Sequence, residues 1–433
     1  MKDGDTIIAL SSGAPPSGVA VIRLSGPATG GLLERLSGPL PEPRRLALRS
    51  LRWHGEVLDQ GLVVLFPAPH SFTGEDCAEL QVHGSPAVIR AILRALAAEP
   101  GVRLAEAGEF TRRAFTNGKL DLVAIEGLGD LLQAETENQR RLARDRLAGG
   151  LSRRVDAWRE ALLDFRAEIE ARLDFSDEGD VGALPAELAS RMLDLAADLE
   201  HTAGGAAQGR LLREGLRVAL AGPPNAGKSS LLNALARSDV AIVSDEAGTT
   251  RDLREVAVDL GGQLVVLLDM AGLRDAESKA EAEGVRRARE AIGDADLVLW
   301  LHAPDVGDIG SLETTAPIWH IATKRDLAAA SPDARHAISV RTGEGIPGLV
   351  ADLGRFVSER AGTGETVLVS RERDRIALEA AALWVRRAAG SLEALELAAE
   401  ALRLASDGLA RLVGRLDPEQ VLDHLFTAFC IGK

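Results

Sequence analysis

The feature that most constrains this chain is the loop GPPNAGKS, residues 222–229, which satisfies the pattern GxxxxGK[ST]. The apolar segment 218–221 precedes the loop, and the helix-forming run SLLNALA follows it. In such a loop the backbone amides surround the phosphates of a nucleotide, Lys228 neutralises their charge, and Ser229 binds Mg²⁺. The loop therefore predicts a strand–loop–helix unit of a parallel α/β sheet, with a nucleotide bound where the helix begins.

Three more motifs follow in the order found in guanine-nucleotide-binding domains. Thr249 and Thr250, in AGTTRD, can close a loop on Mg²⁺ and the γ-phosphate. The motif DMAG ends an apolar strand and offers the Asp269 carboxylate to the metal and the Gly272 amide to the γ-phosphate. The motif TKRD, residues 323–326, stands where such domains carry NKxD. Together these motifs predict a Ras-like nucleotide site.

Selectivity for guanine is expected to come from Asp326, whose carboxylate can accept hydrogen bonds from the N1–H and N2–H groups of guanine. Thr323 replaces the usual Asn, so we expect one altered side-chain hydrogen bond and weaker affinity, with guanine selectivity kept. Ser339, in AISVRTGEG, fits the last motif of the domain, and we expect its backbone amide to contact guanine O6. Met270 replaces a common Thr, with little chemical effect expected.

Motif spacing does not identify the group that would catalyse GTP hydrolysis. Leu273 follows DMAG where Ras-like enzymes carry a water-orienting Gln, and an aliphatic side chain cannot orient water. The candidate replacements, which spacing does not rank, are Asp275, Glu277, Glu281 and Glu283. The phosphate loop also has no arginine finger, a group worth ~10³–10⁵ in rate. Asn225, inside the loop, could hold a substitute cation against the phosphates.

The 433 residues fit two or three domains. Residues 1–118 mix short β-type runs with one helical stretch, which is an α+β pattern. Residues 119–210 and 372–433 share an Ala/Leu/Arg/Glu-rich, helical texture. Residues 211–371 alternate buried strands with helices, as in a doubly wound sheet. We therefore predict an α+β and α/β multidomain chain in which the nucleotide-binding domain 211–371 is inserted into a helical domain.

One long helix is predicted within the first helical part, because apolar residues recur there in steps of three and four. These residues are Leu151, Val155, Trp158, Leu162, Phe165, Ile169 and Leu173. We interpret the stripe as core packing rather than as a cofactor site. The helix is expected to stop in DFSDEGD, and HTAGGAAQG, residues 201–209, is expected to be a flexible link.

Net charge, cysteine count and hydrophobic segments indicate which classes of protein this chain does not resemble. The formal net charge of −15 argues against a broad nucleic-acid-binding surface. The clearest basic run is QRRLARDR, residues 139–146, which a solvated helix face would also explain. Two cysteines cannot form a disulfide framework, the first residues lack the basic flank of a signal peptide, and no segment approaches the roughly 20 apolar residues of a membrane span. These observations predict a cytoplasmic protein without a membrane span.

Several blocks extend over almost the whole chain: GVAVIRLSGP, PHSFTGEDCAELQVHGSP and AGEFTRRAFTNGKLDL near the start, DMAGLRDA in the nucleotide domain, and CIGK at the end. In these blocks the chain resembles the bacterial MnmE (TrmE) family of tRNA-modification GTPases. Phosphate loops are common to many proteins, whereas the N-terminal blocks combined with a terminal CIGK are specific to this family.

The resemblance implies that two nucleotide domains pair across a homodimer when K⁺ lies beside the phosphates and replaces an arginine finger. The implied K⁺ ligands are the Asn225 side chain and backbone oxygens of Ser244, Glu246 and Thr249. The implied Mg²⁺ ligands are Ser229 and Thr250. The implied GTP contacts are Asn225, Ala226, Gly227, Lys228, Ser229, Ser230, Ser244, Thr249, Thr250, Asp269, Gly272, Thr323, Lys324, Asp326 and Ser339. The resemblance selects Glu281 as the catalytic residue that positions water, with Arg251 and Arg274 as switch arginines.

The N-terminal domain of the family resembles tetrahydrofolate-binding enzymes and forms the constitutive dimer. The implied folate contacts are Arg23, Glu79, Lys119 and Lys433. A carboxylate can pair with the amide-like edge of a pterin, and basic groups can meet the glutamate tail. Cys430 matches a family cysteine near this site, where a direct chemical role and a buried apolar role both stay open. The implied folate is 5,10-methylenetetrahydrofolate or 5-formyltetrahydrofolate.

The reaction implied is addition of a carboxymethylaminomethyl or aminomethyl group to C5 of the tRNA wobble uridine. The family acts with an FAD-dependent MnmG (GidA)-like partner, in a heterotetramer or larger assembly, and much of the tRNA contact is expected to come from that partner. One alternative is a regulatory GTPase that binds ribosomal RNA as a switch; another is a folate enzyme with a regulatory nucleotide domain. Folate binding by residues 1–120 and the C-terminal peptide would argue against a plain switch.

Overall fold

The computed structural model describes residues 4–174, 183–242, 254–270, 293, 295–306, 314–328, 333–362, 367–416 and 432. The chain divides into two compact units. The first contains residues 1–129, 152–159 and 409–433, and the second contains residues 130–151 and 160–408. Among the described residues, no helix is both long enough and apolar enough to cross a membrane.

The first unit contains a six-stranded sheet of mixed direction. Its strands are β1 Thr6–Leu10, β2 Ser17–Ser25, β3 Ala47–Trp53, β4 Glu56–Phe66, β5 Cys77–Gly84 and β6 Val102–Leu104. Their order is β3-β4-β5-β2-β1-β6, with β1 and β6 parallel and the other neighbours antiparallel. The helices are α1 Thr29–Ser37, α2 Pro86–Ala97, α3 Glu109–Thr116 and α4 Leu122–Gln133. The predicted α+β class is confirmed, although β3 and β6 lack the apolar runs by which the other strands are recognised.

The described helices that precede the nucleotide sheet are α5 Glu137–Leu147, α6 Gly150–Asp174, α7 Leu188–Gly204 and α8 Ala206–Glu214. The predicted apolar stripe lies on α6, where its first six members are buried, and α6 is described as far as Asp174, the first residue of DFSDEGD. The prediction of a flexible link at 201–209 is wrong, because residues 201–204 belong to α7 and residues 206–209 to α8, with Gly205 between them. The small residues there allow close packing: a Cβ on Gly209 would overlap the carbonyl oxygen of Val369.

The second unit contains the nucleotide-type sheet. Its elements are β7 Leu216–Ala221, α9 Lys228–Ala236, β8 Arg254–Asp259, β9 Leu264–Asp269, β10 Leu297–His302, β11 Ile318–Ala322, β12 His336–Ala337 and α10 Ile346–Ala361, followed by α11 Glu372–Ala389 and α12 Leu395–Leu412. The strand order is β12-β11-β10-β7-β9-β8, and all neighbours are parallel except β8 and β9.

The position of β7 in this sheet locates the site. β7 lies between β10 and β9, so its carboxyl end opens into the crevice where α/β sheets bind ligands. Large side chains on one face of β7, Val218 and Leu220, pack with α9 and α10 in the main core. Small ones on the other face, Ala219 and Ala221, pack with Met270. Met270 is therefore a core residue, which agrees with the small chemical effect expected for it.

Candidate guanine-nucleotide site

The phosphate loop follows β7 and turns by left-handed backbone conformations. Gly222, Asn225 and Gly227 have φ values of 137°, 63° and 93°. A Cβ on Gly222 would overlap the carbonyl oxygen of Leu301, so glycine is required there. Asn is among the few other residues that accept the left-handed region, which suits position 225. The loop ends at the first residues of α9, whose free amides form an anion site.

Lys228 crosses the inside of this loop. Its ammonium donates to the carbonyl oxygens of Gly222, at 2.8 Å, and Pro223, at 2.9 Å. Only 8% of Lys228 is exposed. The positive charge is therefore held against the loop, where the phosphates of a nucleotide are expected.

Ser229 and Asp269 meet beside the loop. The Ser229 hydroxyl donates to Asp269 Oδ2 at 2.6 Å, and Asp269 is 1% exposed. The two residues meet because Asp269 pairs with Leu220 across β7 and β9, which places the end of β9 beside the phosphate loop. A hydroxyl and a carboxylate are the hard oxygen ligands that Mg²⁺ prefers, so these two residues fit the metal expected here.

Asp326 is held by two neighbours at the opposite end of the site. The Ser339 hydroxyl donates to its Oδ1 at 2.7 Å, and Arg341 Nε lies 3.1 Å from its Oδ2. The Ser339 hydrogen bond, helped by the charge of Arg341, holds the pKa of Asp326 below its ordinary value. An ionised carboxylate only accepts hydrogen bonds, as recognition of the N1–H and N2–H groups of guanine requires.

The Ser339 amide has a hydrogen-bond partner within the protein. This amide donates to the carbonyl oxygen of Glu344 at 2.9 Å within the turn that follows β12. The Ser339 hydroxyl contacts Asp326, and a contact of the amide with guanine O6 stays a prediction. The turn that uses the amide could not be derived from motif spacing alone.

Thr323 connects the base end of the site to the phosphate end. Its hydroxyl oxygen lies 2.7 Å from the carbonyl oxygen of Ala226 and 3.0 Å from that of His302. Thr323 is 5% exposed, so the contact is shielded from water. The replacement of Asn by Thr therefore keeps a side-chain hydrogen bond to the phosphate loop, while a hydroxyl cannot reproduce both functions of an amide group.

Two charged residues at the base end, Asp305 and Arg341, belong to none of the nucleotide-binding motifs. Lys324, which has a left-handed φ of 54°, pairs with Asp305 at 2.6 Å. This ion pair holds the pKa of Asp305 below its ordinary value. Asp305 could have been noticed because HAPD directly continues β10 at the edge where the motifs lie. Arg341 could have been noticed because it follows Ser339 by two residues.

The candidate folate residues of the first unit form a second cluster. Arg23 and Glu79 are cross-strand partners on β2 and β5, and two nitrogens of Arg23 donate to Glu79 Oε1 at 2.9 and 3.0 Å. The Arg23 guanidinium also lies 5.4 Å from the ring centre of Phe72 and 5.7 Å from that of Phe110, neither of which the sequence analysis singled out. Lys119 donates to the carbonyl oxygen of Pro69 at 3.1 Å, on the loop that carries Phe72.

One residue of the C-terminal CIGK is described. Gly432 is buried, has a φ of 101°, and accepts a hydrogen bond from the Ser11 hydroxyl at 2.7 Å. A Cβ at this position would overlap the carbonyl oxygen of Leu10. Gly432 therefore lies against the end of β1, in the same unit as Arg23 and Glu79. This contact gives a physical reason for glycine in the motif.

The basic run 139–146 is divided by the fold. Arg146 is 1% exposed and pairs with the buried Asp374 at 2.9 Å, so it has a packing role. Arg140 and Arg141 share the exposed carboxylate of Glu137. These two side chains and Arg144 are the members available to solvent.

Some predicted site residues lie outside the described residues. They are Ser244, Glu246, Thr249, Thr250, Arg251, Gly272, Arg274, Glu281, Cys430 and Lys433. Their roles remain predictions.

Comparisons with known proteins agree over the full chain. The family model "GTP-binding protein TrmE N-terminus" matches residues 6–119, and the model "MnmE helical domain" matches residues 122–430. A protein of Rhizobium etli (strain CIAT 652) is 52% identical over 435 residues, covering 99% of each chain. Proteins of Rhizobium johnstonii (strain DSM 114642 / LMG 32736 / 3841) and Rhizobium meliloti (strain 1021) are each 50% identical, covering 99% and 100% of both chains, respectively. All three relatives are named tRNA modification GTPase MnmE.

Proposed function

The chain belongs to the MnmE family of tRNA modification GTPases, and on that premise we propose that it couples GTP hydrolysis to modification of the wobble uridine at C5. GTP binding and hydrolysis are supported by one observation: hydrogen bonds connect the phosphate end of the site to its base end. Ser229 and Asp269 meet at the phosphate end, Ser339 holds Asp326 at the base end, and Thr323 joins the two through the phosphate loop.

In this proposal each residue has a role set by its position in the site. Asp326 selects guanine, and the amides that begin α9 bind phosphate together with Lys228. Ser229 and Thr250 hold Mg²⁺, which supplies positive charge to the phosphates during transfer. The exposed side chain of Asn225 is available to a K⁺ ion, with backbone oxygens of the loop that contains Thr249.

Glu281 positions the attacking water in this scheme, and Arg251 and Arg274 act in the switch segments. This assignment follows the family resemblance and the aliphatic character of Leu273. It is supported by the lack of an arginine in the phosphate loop, residues 222–229. We also propose the domain division 1–118, 119–210, 211–371 and 372–433.

We further propose that a one-carbon folate binds near Arg23 and Glu79. A carboxylate on a strand, a guanidinium within about 6 Å of two phenyl ring centres and the nearby Lys119 suit a flat heterocycle with an acidic tail. We propose that Cys430 and Lys433 belong to the same site, because they lie within two residues of Gly432, which bonds to Ser11. The folate unit, glycine or ammonium, and an FAD-dependent MnmG-like partner would complete the chemistry, and a homodimer of this chain would carry two such sites.

The partner is proposed to make most of the tRNA contact. The solvent-facing arginines of α5 are few and are offset by Glu137 and Asp145. The net charge of −15 also disfavours a broad RNA surface.

The decisive experiment is nucleoside mass spectrometry of tRNA from cells with and without the gene. Loss of C5-modified wobble uridine in the deletion, and its return with the wild-type gene, is expected. An Asp326→Ala gene serves as the matched control, because it removes guanine recognition and should not restore the modification. An unchanged uridine profile would reject this role, and accumulation of ribosomal precursors instead would favour the RNA-binding switch.

A further inference from the structure

We infer that the turn between β8 and β9 and the first turn of α5 form a contact that transmits the nucleotide state to the helical segment around α11. The inference rests on the proposed switching of the nucleotide site. It concerns only residues of the second unit.

The β8–β9 hairpin joins the two motif segments expected at the γ-phosphate. AGTTRD precedes β8, and DMAG begins at the last residue of β9. Arg254 pairs with Asp269 at the site end, and Asp259 pairs with Leu264 at the far end. The paired strands therefore extend roughly 17 Å away from the site, at ~3.3 Å per residue. A shift at Asp269 can reach the far end because the two strands move as a bonded pair.

The far end closes in a tight turn. Gly261 and Gly262 have φ values of 70° and 86°, and the Leu260 amide donates to the Gln263 carbonyl at 2.9 Å. Two left-handed residues in succession are the signature of the two-residue turn that matches strand twist. The Gly262 amide donates to the Asp259 carboxylate at 2.6 Å, which fixes the turn further. The turn is thus a defined tip rather than a loose loop.

This tip contacts the beginning of α5. The Asn138 amide donates to the Gly262 carbonyl oxygen at 3.2 Å. Asn138 lies in the first helical turn, where amides have no partner within the helix. In the same turn, Gln139 donates through Nε2 to the Arg213 carbonyl at 2.8 Å, next to the start of β7. The start of α5 therefore bonds to both the hairpin tip and the segment that enters the nucleotide sheet.

Two cavities border residues next to this contact. A cavity of about 330 Å³ is lined by Gln139 and Leu264 among others. A second cavity of about 340 Å³ is lined by Asn138 and Gln263 among others. Residues beside the Asn138–Gly262 hydrogen bond therefore have space in which to shift.

The other end of α5 is anchored firmly. Arg146 donates to Asp374 at 2.9 Å and to the Leu368 carbonyl at 3.1 Å, and both charged side chains are almost fully buried. Asp374 lies in the first turn of α11, and Leu368 lies in the segment that leaves the nucleotide domain. A displacement of α5 at Asn138 is thus passed to α11 through a rigid ion pair.

A reversible disulfide between Glu137→Cys and Gly262→Cys tests the inference in the full-length protein. An ideal Cβ on Gly262 lies 3.8 Å from the Glu137 Cβ, and disulfides average about 3.8 Å between Cβ atoms. Hydrogen exchange of residues 372–389 is measured with GDP and with a non-hydrolysable GTP analogue, before and after oxidation. The affinities for both nucleotides are measured on the same samples.

In the reduced protein, hydrogen exchange of residues 372–389 is expected to differ between the GDP-bound and the GTP-analogue-bound state. In the oxidised protein this difference should be lost. Because coupling is reciprocal, oxidation should also change the ratio of the two affinities by about fivefold or more. Gly262→Cys alone, treated with the same oxidant, is the control for strain at a left-handed position. Identical exchange and affinity ratios before and after oxidation would overturn the inference.

A second pair of variants avoids the strained position. Asn138→Pro removes the amide donor in the first turn of a helix, where proline is tolerated, whereas Asn138→Ala keeps it. Only the proline variant should reduce the nucleotide-dependent difference in α11; equal behaviour of the two would count against the contact. Normal GTP binding and hydrolysis without any nucleotide effect on α11 would reject the inference alone, whereas failure to bind GTP would reject the proposed function.

Discussion

The hydroxyl oxygen of Thr323 lies 2.7 Å from the carbonyl oxygen of Ala226, so the guanine-recognition motif is bonded directly to the phosphate loop. The contact is buried and spans 97 residues of sequence. It links the two ends of the nucleotide, because Asp326 follows Thr323 by three residues and Lys228 follows Ala226 by two.

Removing this hydroxyl should weaken nucleotide binding. Thr323→Val keeps the shape but leaves the Ala226 carbonyl without this donor, at a cost of about 1–3 kcal/mol. Affinity for GTP and GDP should fall about tenfold together, as measured by titration calorimetry. Thr323→Ser keeps the hydroxyl and should bind nearly as wild type. Equal affinities for the valine and serine variants would show that the hydrogen bond has no role in binding.

Hydrolysis should depend on K⁺ through Asn225. The proposal that a cation replaces an arginine finger predicts turnover at least about tenfold faster in KCl than in NaCl of equal ionic strength. Asn225→Ala should remove most of this difference, whereas Asn233→Ala, on the exposed side of α9, should keep it. Phosphate-release kinetics measure both. Equal rates in the two salts for the wild-type protein would contradict the cation role.

Glu281 should contribute to GTP hydrolysis and not to GTP binding. Glu281→Ala is expected to bind GTP normally and to hydrolyse it about 100-fold more slowly or worse, because positioned acid–base groups contribute about 10²–10⁴. Glu277→Ala and Glu283→Ala are matched controls on the same segment and should retain turnover. Single-turnover hydrolysis with nucleotide affinities separates the two steps. Wild-type turnover in the Glu281 variant would remove this residue from the mechanism.

The stability of the first unit should depend on pH through Glu109. Burial alone would raise the pKa of Glu109, but hydrogen bonds from Arg103 and from the Glu106 amide, and the charge of Arg103, lower it below the ordinary value of 4.5. A carboxyl whose pKa is lower when folded stabilises fully above pH 4.5, and this stabilisation is lost as the pH falls towards the folded pKa.

Glu109→Gln should therefore lower the stability of the fold at pH 7 by about 2 kcal/mol, because it removes the buried carboxylate that Arg103 and Arg113 share, while Asp5 and Glu75 still pair with them. The difference from wild type should shrink below pH 4. Thermal unfolding followed by circular dichroism between pH 3 and pH 8 measures it, with the exposed Glu56→Gln as control. A difference that stays constant over this range would contradict the assigned role.

Elements with strong local patterns were predicted well. The long helix α6 follows from its apolar stripe, and the strands β7, β9, β10 and β11 follow from short apolar runs next to glycine-rich loops. β3 was missed because it is partly exposed and carries polar residues between apolar ones. The Gly- and Ala-rich composition of residues 201–209 predicts a link, yet the small residues allow α7 and α8 to continue through almost all of this segment.

Within the nucleotide site, the structure brings Lys228, Ser229 and Asp269 together at the phosphate loop and Asp326 beside Ser339, and their binding roles stay predictions. The motifs do not predict that the Ser339 amide donates to the Glu344 carbonyl, because that bond depends on how the turn closes. Asp305 and Arg341 were missed because each acts on a motif residue and belongs to no motif.

The guanine-nucleotide site and the membership of the MnmE family can be derived from the amino-acid sequence, because those properties depend on residue type at short, fixed spacing. Three contacts become visible only in the folded chain: Asn138 bonds to Gly262, Arg146 is buried against Asp374, and Ser11 donates to Gly432, 421 residues away. Such contacts depend on how packed elements align in space, and local residue preferences carry no information about that alignment.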